Sequence, residues 1–369
     1  MEVLGRAKAM QAAGRSIIHL EVGEADFPTP EPIVAAGIAA LHAGHTHYTP
    51  ALGLPELRRA IAGHYATRYG VAVSPDRIAV TPGASGALLL AMAALFNPGD
   101  EVLMADPGYP CNRHFARLLE ARPVGIPVGV ETEFQLTAEL VDRHWGPRTR
   151  GVLVANPGNP TGTVIPHAEL AAICERVRSK GGWLLVDEIY HELIYETDEP
   201  SAAALGDDVV VINSFSKYFL MTGWRLGWLL APDRVMPAID RLSQNIFLSA
   251  PSPAQHAALA GLLPETRRLL EARKAELRLR RDWLVPALQR LGFGVPTKPQ
   301  GAFYVYADIG RHADSGMALA ERMLNEAGVA ITPGDDFGRH QAARHVRFAY
   351  TTSLDAIREA VRRMEALLG

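Results

Sequence analysis

The chain has 369 residues, a length typical of two domains or of one large domain. Its 37 lysines and arginines against 40 aspartates and glutamates give a net charge of −3, which argues against a nucleic-acid-binding protein. The hydrophobic share of 48% is typical of a folded globular chain, and the longest apolar stretch, 87–96, is too short to span a bilayer.

Two further counts bear on location and chemistry. The two cysteines, Cys111 and Cys174, form no metal-type pair, and no export-type segment leads the chain, so we expect a protein of the reducing cytoplasm. Only five basic residues are lysines, which leaves arginine to fill most generic basic roles; the five are Lys8, Lys180, Lys217, Lys274 and Lys298.

Between residues 77 and 230, short apolar runs alternate with segments of helical pattern. This alternation is typical of βαβ units and predicts an α/β fold, a three-layer domain whose mostly parallel sheet is flanked by helices. The strand-like runs are 78–80, 101–104, 151–155, 183–186 and 209–212, and helices are indicated over 84–95 and from Pro166.

After Pro251 the pattern changes to a mixture that predicts a smaller α+β domain, joined by the N-terminal segment. We therefore predict a large domain over 36–264 and a small domain over 1–35 and 265–369. Its elements are a long charged helix over 264–291, strands over 302–307, 329–331 and 346–350, a helix over 315–327, and a last helix from Ser353.

Chemically capable side chains follow the predicted strands. Because ligands of doubly wound sheets bind beyond the carboxyl ends of the strands, we expect these side chains to meet at one edge. The set is Gly83 to Gly86, Tyr109, the segment 156–162, Asp187 to Tyr190, and Ser214 to Lys217.

Each of these features alone also has a plain structural interpretation. The glycines could form only a turn before a helix, and the segment 156–162 could be a stiff loop. Asp187 could cap a strand end, and Lys217 could be a charge on the surface. Their joint spacing along successive strands favours a site.

At this point the chain resembles the fold-type-I pyridoxal-phosphate enzymes, specifically the class I and II aminotransferases of the aspartate aminotransferase type. The most specific element is Ser-x-x-Lys followed eight residues later by Arg225. The resemblance covers nearly the whole chain, in segments 47–58, 81–86, 106–109, 156–162, 187–190, 214–227, 333–338 and 346–350.

The resemblance implies catalytic roles for Lys217, Asp187 and Tyr190. Lys217 would form the Schiff base with pyridoxal 5′-phosphate and later move the substrate's proton as a free amine. Asp187 would face the pyridine nitrogen, and Tyr190 and Asn159 the phenolic oxygen O3′. Tyr109 would stack on the ring.

The remaining implied contacts hold the phosphate and the substrate. The phosphate would be held by Ala84, Ser85, Ser214, Ser216 and Arg225, and by Tyr48 of the neighbouring subunit. The substrate α-carboxylate would meet Gly23, Asn159 and Arg347. The assembly implied is a homodimer with shared active sites.

For some of these residues a structural role stays open. Packing residues are the alternative interpretation of Tyr48 and Tyr109. Ser216 could cap the turn, and Arg347 could form a structural ion pair. We expect no metal site at His42, His45 and His47, since no carboxylate or cysteine completes one. His191 suits packing better than ligation.

Two features depart from the family pattern. Members specialised for dicarboxylic substrates often carry a lysine at the position of Ser85, so an aspartate-specific enzyme is disfavoured. The first helix also begins almost at Met1, where relatives have an arm that embraces the partner, which leaves the strength of the dimer open.

The sequence thus predicts an aminotransferase that moves an α-amino group from an amino acid to an α-keto acid, with 2-oxoglutarate as the expected acceptor, by a ping-pong mechanism. A C–S β-lyase of the same family needs the same residues and stays the alternative. A non-catalytic regulator that keeps the cofactor pocket is a further one, and a nicotinamide dehydrogenase is disfavoured because no G-x-G-x-x-G follows a strand.

Overall fold

A central sheet of seven strands carries the fold. The structure, a computed structural model, describes residues 2–369; Met1 lies outside the described residues. The strands of this sheet are β2 (Ile78–Thr81), β3 (Glu101–Asp106), β4 (Arg122–Pro127), β5 (Thr149–Ala155), β6 (Trp183–Asp187), β7 (Val210–Ser214) and β8 (Gly227–Leu230). Their order is β2-β8-β7-β6-β5-β3-β4, and β8 alone runs antiparallel to both of its neighbours.

The predicted α/β class is confirmed, because the sheet is mostly parallel and helices cover it. Strands β2 and β7 are buried along their whole length, which explains why they read as continuous apolar runs. The helices are α1 (Glu2–Ala12), α2 (Glu31–His42), α3 (Pro55–Tyr69), α4 (Gly83–Leu95), α5 (Pro110–Leu118), α6 (Ala138–His144), α7 (His167–Ser179), α8 (Met236–Ile246), α9 (Ser252–Gly261), α10 (Pro264–Arg290), α11 (Gly316–Arg322) and α12 (Leu354–Leu368).

Two smaller sheets lie in the rest of the chain. A three-stranded antiparallel sheet has the order β11-β12-β9, and a two-stranded parallel sheet pairs β1 with β10. Their strands are β1 (Ile18–His19), β9 (Tyr304–Asp308), β10 (Val329–Ala330), β11 (Thr332–Pro333) and β12 (His345–Ala349). The helix expected over 315–327 is α11 followed by a π-helical turn, Met323–Ala327.

The N-terminal segment is clamped between strands from the far end of the chain. The amide of Leu20 donates to the carbonyl of Ala330 (2.9 Å), and its carbonyl accepts from the amide of Ala349 (2.6 Å). The Leu20 side chain is fully buried. This threading brings Gly23, close to the start of the chain, beside Arg347, close to its end.

The sheet order explains where the polar strand ends meet. Strands β5, β6 and β7 are parallel neighbours. Their last residues, Ala155, Asp187 and Ser214, therefore lie at the same edge of the sheet. In the described part of the chain, no helix combines the length and the apolar character needed to cross a membrane.

Candidate active site

Lys217 stands in the turn after β7 and faces the edge where the parallel strands end. Its ammonium nitrogen Nζ donates to the carbonyl of Gly23 (2.7 Å) and lies 5.9 Å from the ring centres of Tyr190 and Phe303. Burial, helped by the nearby charges of Arg347 and Arg225, lowers the pKa of Lys217 to about 8 against the opposing field of Glu24. A substantial share of this amine is therefore neutral near physiological pH.

Asp187 ends β6 in a fully desolvated position. Its Oδ1 accepts from the amide of Ile189 (3.1 Å), and its side chain is buried. Burial raises the pKa of Asp187 to about 7, because this amide and the more distant Lys217 compensate only part of the cost of desolvating the charge. A cationic N–H placed against this carboxylate would restore its ionised form.

The turn after β7 and the start of α4 form a polar cradle. Ser214 Oγ donates to Ser216 Oγ (2.9 Å) and accepts from the amide of Ser216 (3.0 Å). Gly83 opens α4 with φ of +69°, and a Cβ there would lie 2.7 Å from Nη2 of Arg225. The free amides of a helix start and an arginine thus face the same space, a donor set suited to phosphate.

Arg347 is held rigidly on β12. Its Nη1 donates to Oδ1 of Asn159 (3.0 Å), and its Nη2 donates to the carbonyl of Glu21 (2.7 Å). The guanidinium carbon lies 4.2 Å from the ring centre of Tyr304 and 4.7 Å from that of Phe337. Its Nε is buried without a hydrogen-bond partner, a donor available to a carboxylate.

Two tyrosine side chains, Tyr190 and Tyr304, line the site next to each other. The hydroxyls of Tyr190 and Tyr304 lie 2.8 Å apart, and burial raises the pKa of both. Both therefore keep their protons at neutral pH and can donate. Gly23 sits against this pair, since a Cβ there would lie 2.3 Å from the Tyr304 hydroxyl.

Most of the residues predicted for the site line one cavity of about 590 Å³. Tyr109 lines it with 37% of its surface exposed. The predicted residues brought together there are Gly23, Ala84, Ser85, Tyr109, Asn159, Asp187, Tyr190, Ser216, Lys217, Arg225 and Arg347.

Two predicted residues stand apart from this cavity wall. Ser214 lies behind Ser216 and orients it through the two hydrogen bonds given above. Tyr48 is 80% exposed and does not line the cavity of its own chain. Its loop is nevertheless fixed, because Ser252 Oγ donates to the carbonyl of His47 and Gln255 Nε2 donates to Thr49 Oγ1 (2.9 Å).

The histidines singled out in the sequence have structural surroundings. His45 stacks on His256 with ring centres 4.1 Å apart, and His191 Nε2 lies 3.0 Å from the carbonyl of Glu199. Within residues 2–369, no group of three or more histidines, cysteines or carboxylates is arranged to hold a metal ion.

Sequence reasoning missed several residues of the cavity wall. Tyr304 and Phe337 support Arg347, and Glu21 and Cys111 line the same space. Tyr304 falls in a predicted strand, where alternation alone does not tell which face meets the site. Glu21 lies in the segment 17–27, to which the family resemblance assigns part of the side-chain selection, but in which it singles out no residue other than Gly23.

The donor set fits pyridoxal phosphate. Asp187 lacks a cation at hydrogen-bond distance, the Gly83 cradle would be filled by any Cβ, and a buried lysine with a lowered pKa lines the same cavity as Asp187. A pyridinium, a phosphate and an aldehyde are the three groups that would satisfy these features together.

Comparison with known proteins gives a consistent result. Residues 15–364 match the family described as aminotransferase class I and II. The valine–pyruvate aminotransferase of Mycobacterium tuberculosis is 41% identical over 100% of this chain and 95% of its own length. The arginine–pyruvate transaminase of Pseudomonas aeruginosa is 36% identical over 97% of this chain and 92% of its own length.

Solved structures agree with these relatives. An aminotransferase from Mycobacterium tuberculosis superposes with a TM-score of 0.96 at 41% identity, covering 100% of this chain and 95% of its own. The aspartate aminotransferase of Thermus thermophilus with maleate gives 0.94 at 35% identity, covering 99% and 95%.

Proposed function

The chain belongs to the class I and II aminotransferases, which use pyridoxal phosphate, and on that premise we propose that it moves the α-amino group of an amino acid to an α-keto acid in two half-reactions at one cavity. The observation that carries this proposal is the placement of Lys217, Asp187 and the Arg347–Asn159 pair around that cavity.

Lys217 is the proton carrier in this proposal. When bound, pyridoxal phosphate supplies an electron sink for the negative charge that develops on the substrate's Cα. Nζ of Lys217 would accept the proton from the substrate's Cα and, as the ammonium form, would donate it back in the second part of the transfer. The lowered pKa of Lys217, about 8, suits both directions of this transfer near neutral pH.

Four side chains would hold the ring. Asp187 pairs with the pyridine nitrogen and keeps it protonated. Tyr190 and Asn159 donate to O3′, the first through its hydroxyl and the second through its amide. Tyr109 packs on the ring face.

The phosphate would be bound at the start of α4. Arg225 supplies a guanidinium fork, Ser216 a hydroxyl, and Ala84 and Ser85 the amides of the first helical turn. Ser214 acts by orienting Ser216. The dipole of α4, a helix of 13 residues, adds to the attraction for the dianion.

The substrate α-carboxylate would bind at Arg347, close to Gly23. The two aromatic rings and the Asn159 bond fix the guanidinium before substrate arrives, so little ordering remains to oppose binding. The proposed division into 36–264 and 1–35 with 265–369 assigns Gly23 and Arg347 to the small domain and the cofactor contacts to the large one.

Two keto acids are candidates for the acceptor. The expected 2-oxoglutarate carries a second carboxylate that pyruvate lacks, and two of the relatives have pyruvate in their names. The cations that line the cavity among the described residues are Lys217, Arg225 and Arg347, and each has another task. None is left for a distal carboxylate, so we favour pyruvate, and 2-oxoglutarate stays a prediction to be compared with it in kcat/KM.

We further propose a homodimer with shared sites. Tyr48 is 80% exposed on a loop that is hydrogen-bonded to α9, and it does not line the cavity of its own chain. A second copy that brings its own Tyr48 to the phosphate cradle would bury this ring and complete the site.

Replacement of Lys217 tests the proposal. With pyridoxal phosphate and an amino donor, the wild-type chain should transfer the amino group to a keto acid. Lys217→Ala should lower kcat by about 10² to 10⁴-fold, while Lys8→Ala, an exposed lysine on α1, should leave kcat unchanged. An unchanged rate in Lys217→Ala would contradict the assignment, and release of pyruvate from cystathionine without any keto acid would favour the β-lyase.

A further inference from the structure

The wall of the active-site cavity is more acidic than the proposed chemistry requires. Four carboxylates line it, from Glu21, Glu24, Asp187 and Asp336, against three cations. Asp187 is assigned to the pyridine nitrogen, Glu24 accepts a hydrogen bond from Thr222, and Asp336 interacts electrostatically with Arg113. Glu21 is the one whose role the proposed function leaves open.

Glu21 is buried at this wall with one oxygen unsatisfied. Its side chain is only 4% exposed; Oε1 lies 2.7 Å from Nδ1 of His19, and Oε2 has no hydrogen-bond partner. An unsatisfied carboxylate oxygen in a desolvated position is costly, and the cost is removed when a donor reaches it. The described side chains supply no such donor.

The position of Glu21 limits what that donor is. Its carbonyl accepts from Nη2 of Arg347, so Glu21 adjoins the group that binds the substrate α-carboxylate. Glu21 also lines the cavity itself, so a group that reaches its carboxylate binds in the same cavity as the substrate. Val3 and Leu4 of α1 line the same cavity and offer an apolar surface to the carbon chain in between.

We infer that Glu21 selects amino donors with a cationic side chain, an alkyl stem that ends in an ammonium or guanidinium group. This inference rests on the proposed function and extends it to the donor. Glu21 is a specificity-determining residue here, because it meets the distal end of the substrate and not the reacting atoms.

Isosteric pairs of donors test the inference directly. L-Ornithine and L-norleucine differ by exchange of ammonium for methyl, and L-arginine and L-citrulline by exchange of guanidinium for ureido. With pyruvate as acceptor, we expect kcat/KM of the wild type to favour the cationic member of each pair by about tenfold to a hundredfold. Glu21→Gln should reduce that preference to about threefold or less, through a fall in kcat/KM for the cationic donors.

The control variant is Glu365→Gln, an exposed carboxylate on α12, which should keep the full preference. The inference is overturned if the wild type treats the members of each pair equally, or if Glu21→Gln slows both members alike. The second result would mark Glu21 as purely structural. If no donor of either class reacts, the proposed aminotransferase function fails instead.

Binding to the cofactor-free protein gives a readout that does not depend on turnover. 5-Aminopentanoate carries a carboxylate for Arg347 and a distal ammonium, and hexanoate is its neutral isostere. Calorimetry should show 5-aminopentanoate bound at least about tenfold more tightly by the wild type, and equal affinities in Glu21→Gln. Equal affinities in the wild type would overturn the inference.

Discussion

Two ionisable side chains of the cavity, Lys217 and Asp187, have pKa values shifted toward neutrality from opposite sides. Burial lowers the pKa of Lys217 to about 8 and raises that of Asp187 to about 7. Each shift lowers the folding stability of the cofactor-free protein, and a bound cofactor offsets this loss. Each shift also gives a measurable pH dependence.

For Lys217 we predict that the rate of pyridoxal phosphate uptake by the cofactor-free protein rises with pH and levels off above about 8. The neutral amine is the reactive form, and its share increases through the lowered pKa. Stopped-flow absorbance gives the rate. Nα-acetyl-lysine serves as the reference amine, and a protein profile that still rises near pH 10, as that amine's does, would contradict the shift.

For Asp187 we predict that Asp187→Asn stabilises the cofactor-free protein at pH 8. The folded-state pKa of about 7 lies above the ordinary 3.8, so the folded chain holds a proton between these values that the unfolded chain has released. Stability from this group is present at low pH and is lost as pH rises toward 7. At pH 8 the buried charge costs up to roughly 4 kcal/mol.

Thermal unfolding at pH 8 and pH 5 measures this effect. The melting temperature of Asp187→Asn should exceed that of the wild type at pH 8. This difference in melting temperature should be smaller at pH 5. Pyridoxal phosphate should then stabilise the wild type more than the variant, because only the carboxylate pairs with a pyridinium. A variant less stable than the wild type at pH 8 without cofactor would refute this.

At the scale of secondary structure, the start of α4 is a sterically tight part of the site. Gly83 has φ of +69° and lies against Arg225. We predict that Gly83→Ala costs about 1–3 kcal/mol of unfolding free energy and weakens pyridoxal phosphate binding at least about tenfold, because Arg225 is displaced. Denaturant unfolding and cofactor titration measure the two effects.

Gly63 provides the matched control. It lies inside α3, and a Cβ there meets nothing within 4 Å. Gly63→Ala should stabilise the protein by about 0.5–1 kcal/mol through reduced backbone entropy and leave cofactor affinity unchanged. If both alanine variants behave alike, the backbone at Gly83 does not shape the cradle.

The strands that could be predicted are those that are buried on both faces, because burial requires a continuously apolar sequence. Runs such as those of β2, β6 and β7 face helices on both sides, and their continuous apolar character marks them. β4, over Arg122–Pro127, lies at the edge of the sheet, contains two prolines and was missed. The insertion of β8 between β2 and β7 has no local signal, since strand order is a property of tertiary contacts.

The same distinction holds for the site. Lys217, Asp187 and Arg225 follow strands in motifs with fixed spacing, so their shared location could be predicted. Tyr304 and Glu21 enter the cavity through the register of β9 and the threading of the N-terminal segment, and residues distant in sequence decide both. Local patterns carry no information about such contacts.

At the scale of the whole molecule, the exposed Tyr48 predicts complementation between two defective subunits. In a heterodimer of Lys217→Ala and Tyr48→Ala chains, one shared site would carry both defects and the other none. We expect about half of the wild-type activity per dimer with wild-type cofactor affinity. Differently tagged, co-expressed chains purified over both tags provide the sample.

The parent homodimers are the controls for this measurement. Lys217→Ala alone should be inactive, and Tyr48→Ala alone should bind pyridoxal phosphate more weakly. If each site uses only its own Tyr48, the active site of the heterodimer keeps the weakened affinity, and the shared arrangement is excluded.

The clamp on Leu20 also sets the order in which the protein can be completed during its synthesis. Both strands that hold Leu20 come from residues 330–349, so its backbone partners leave the ribosome more than 300 residues after it does. At synthesis rates of about 5–20 residues per second, this apolar segment waits roughly 15 to 60 seconds. The parallel sheet with Asp187 and Lys217 can form in that interval. The pocket proposed for the substrate carboxylate, built from Gly23 and Arg347, can form only after that interval, because Arg347 is itself part of the late segment.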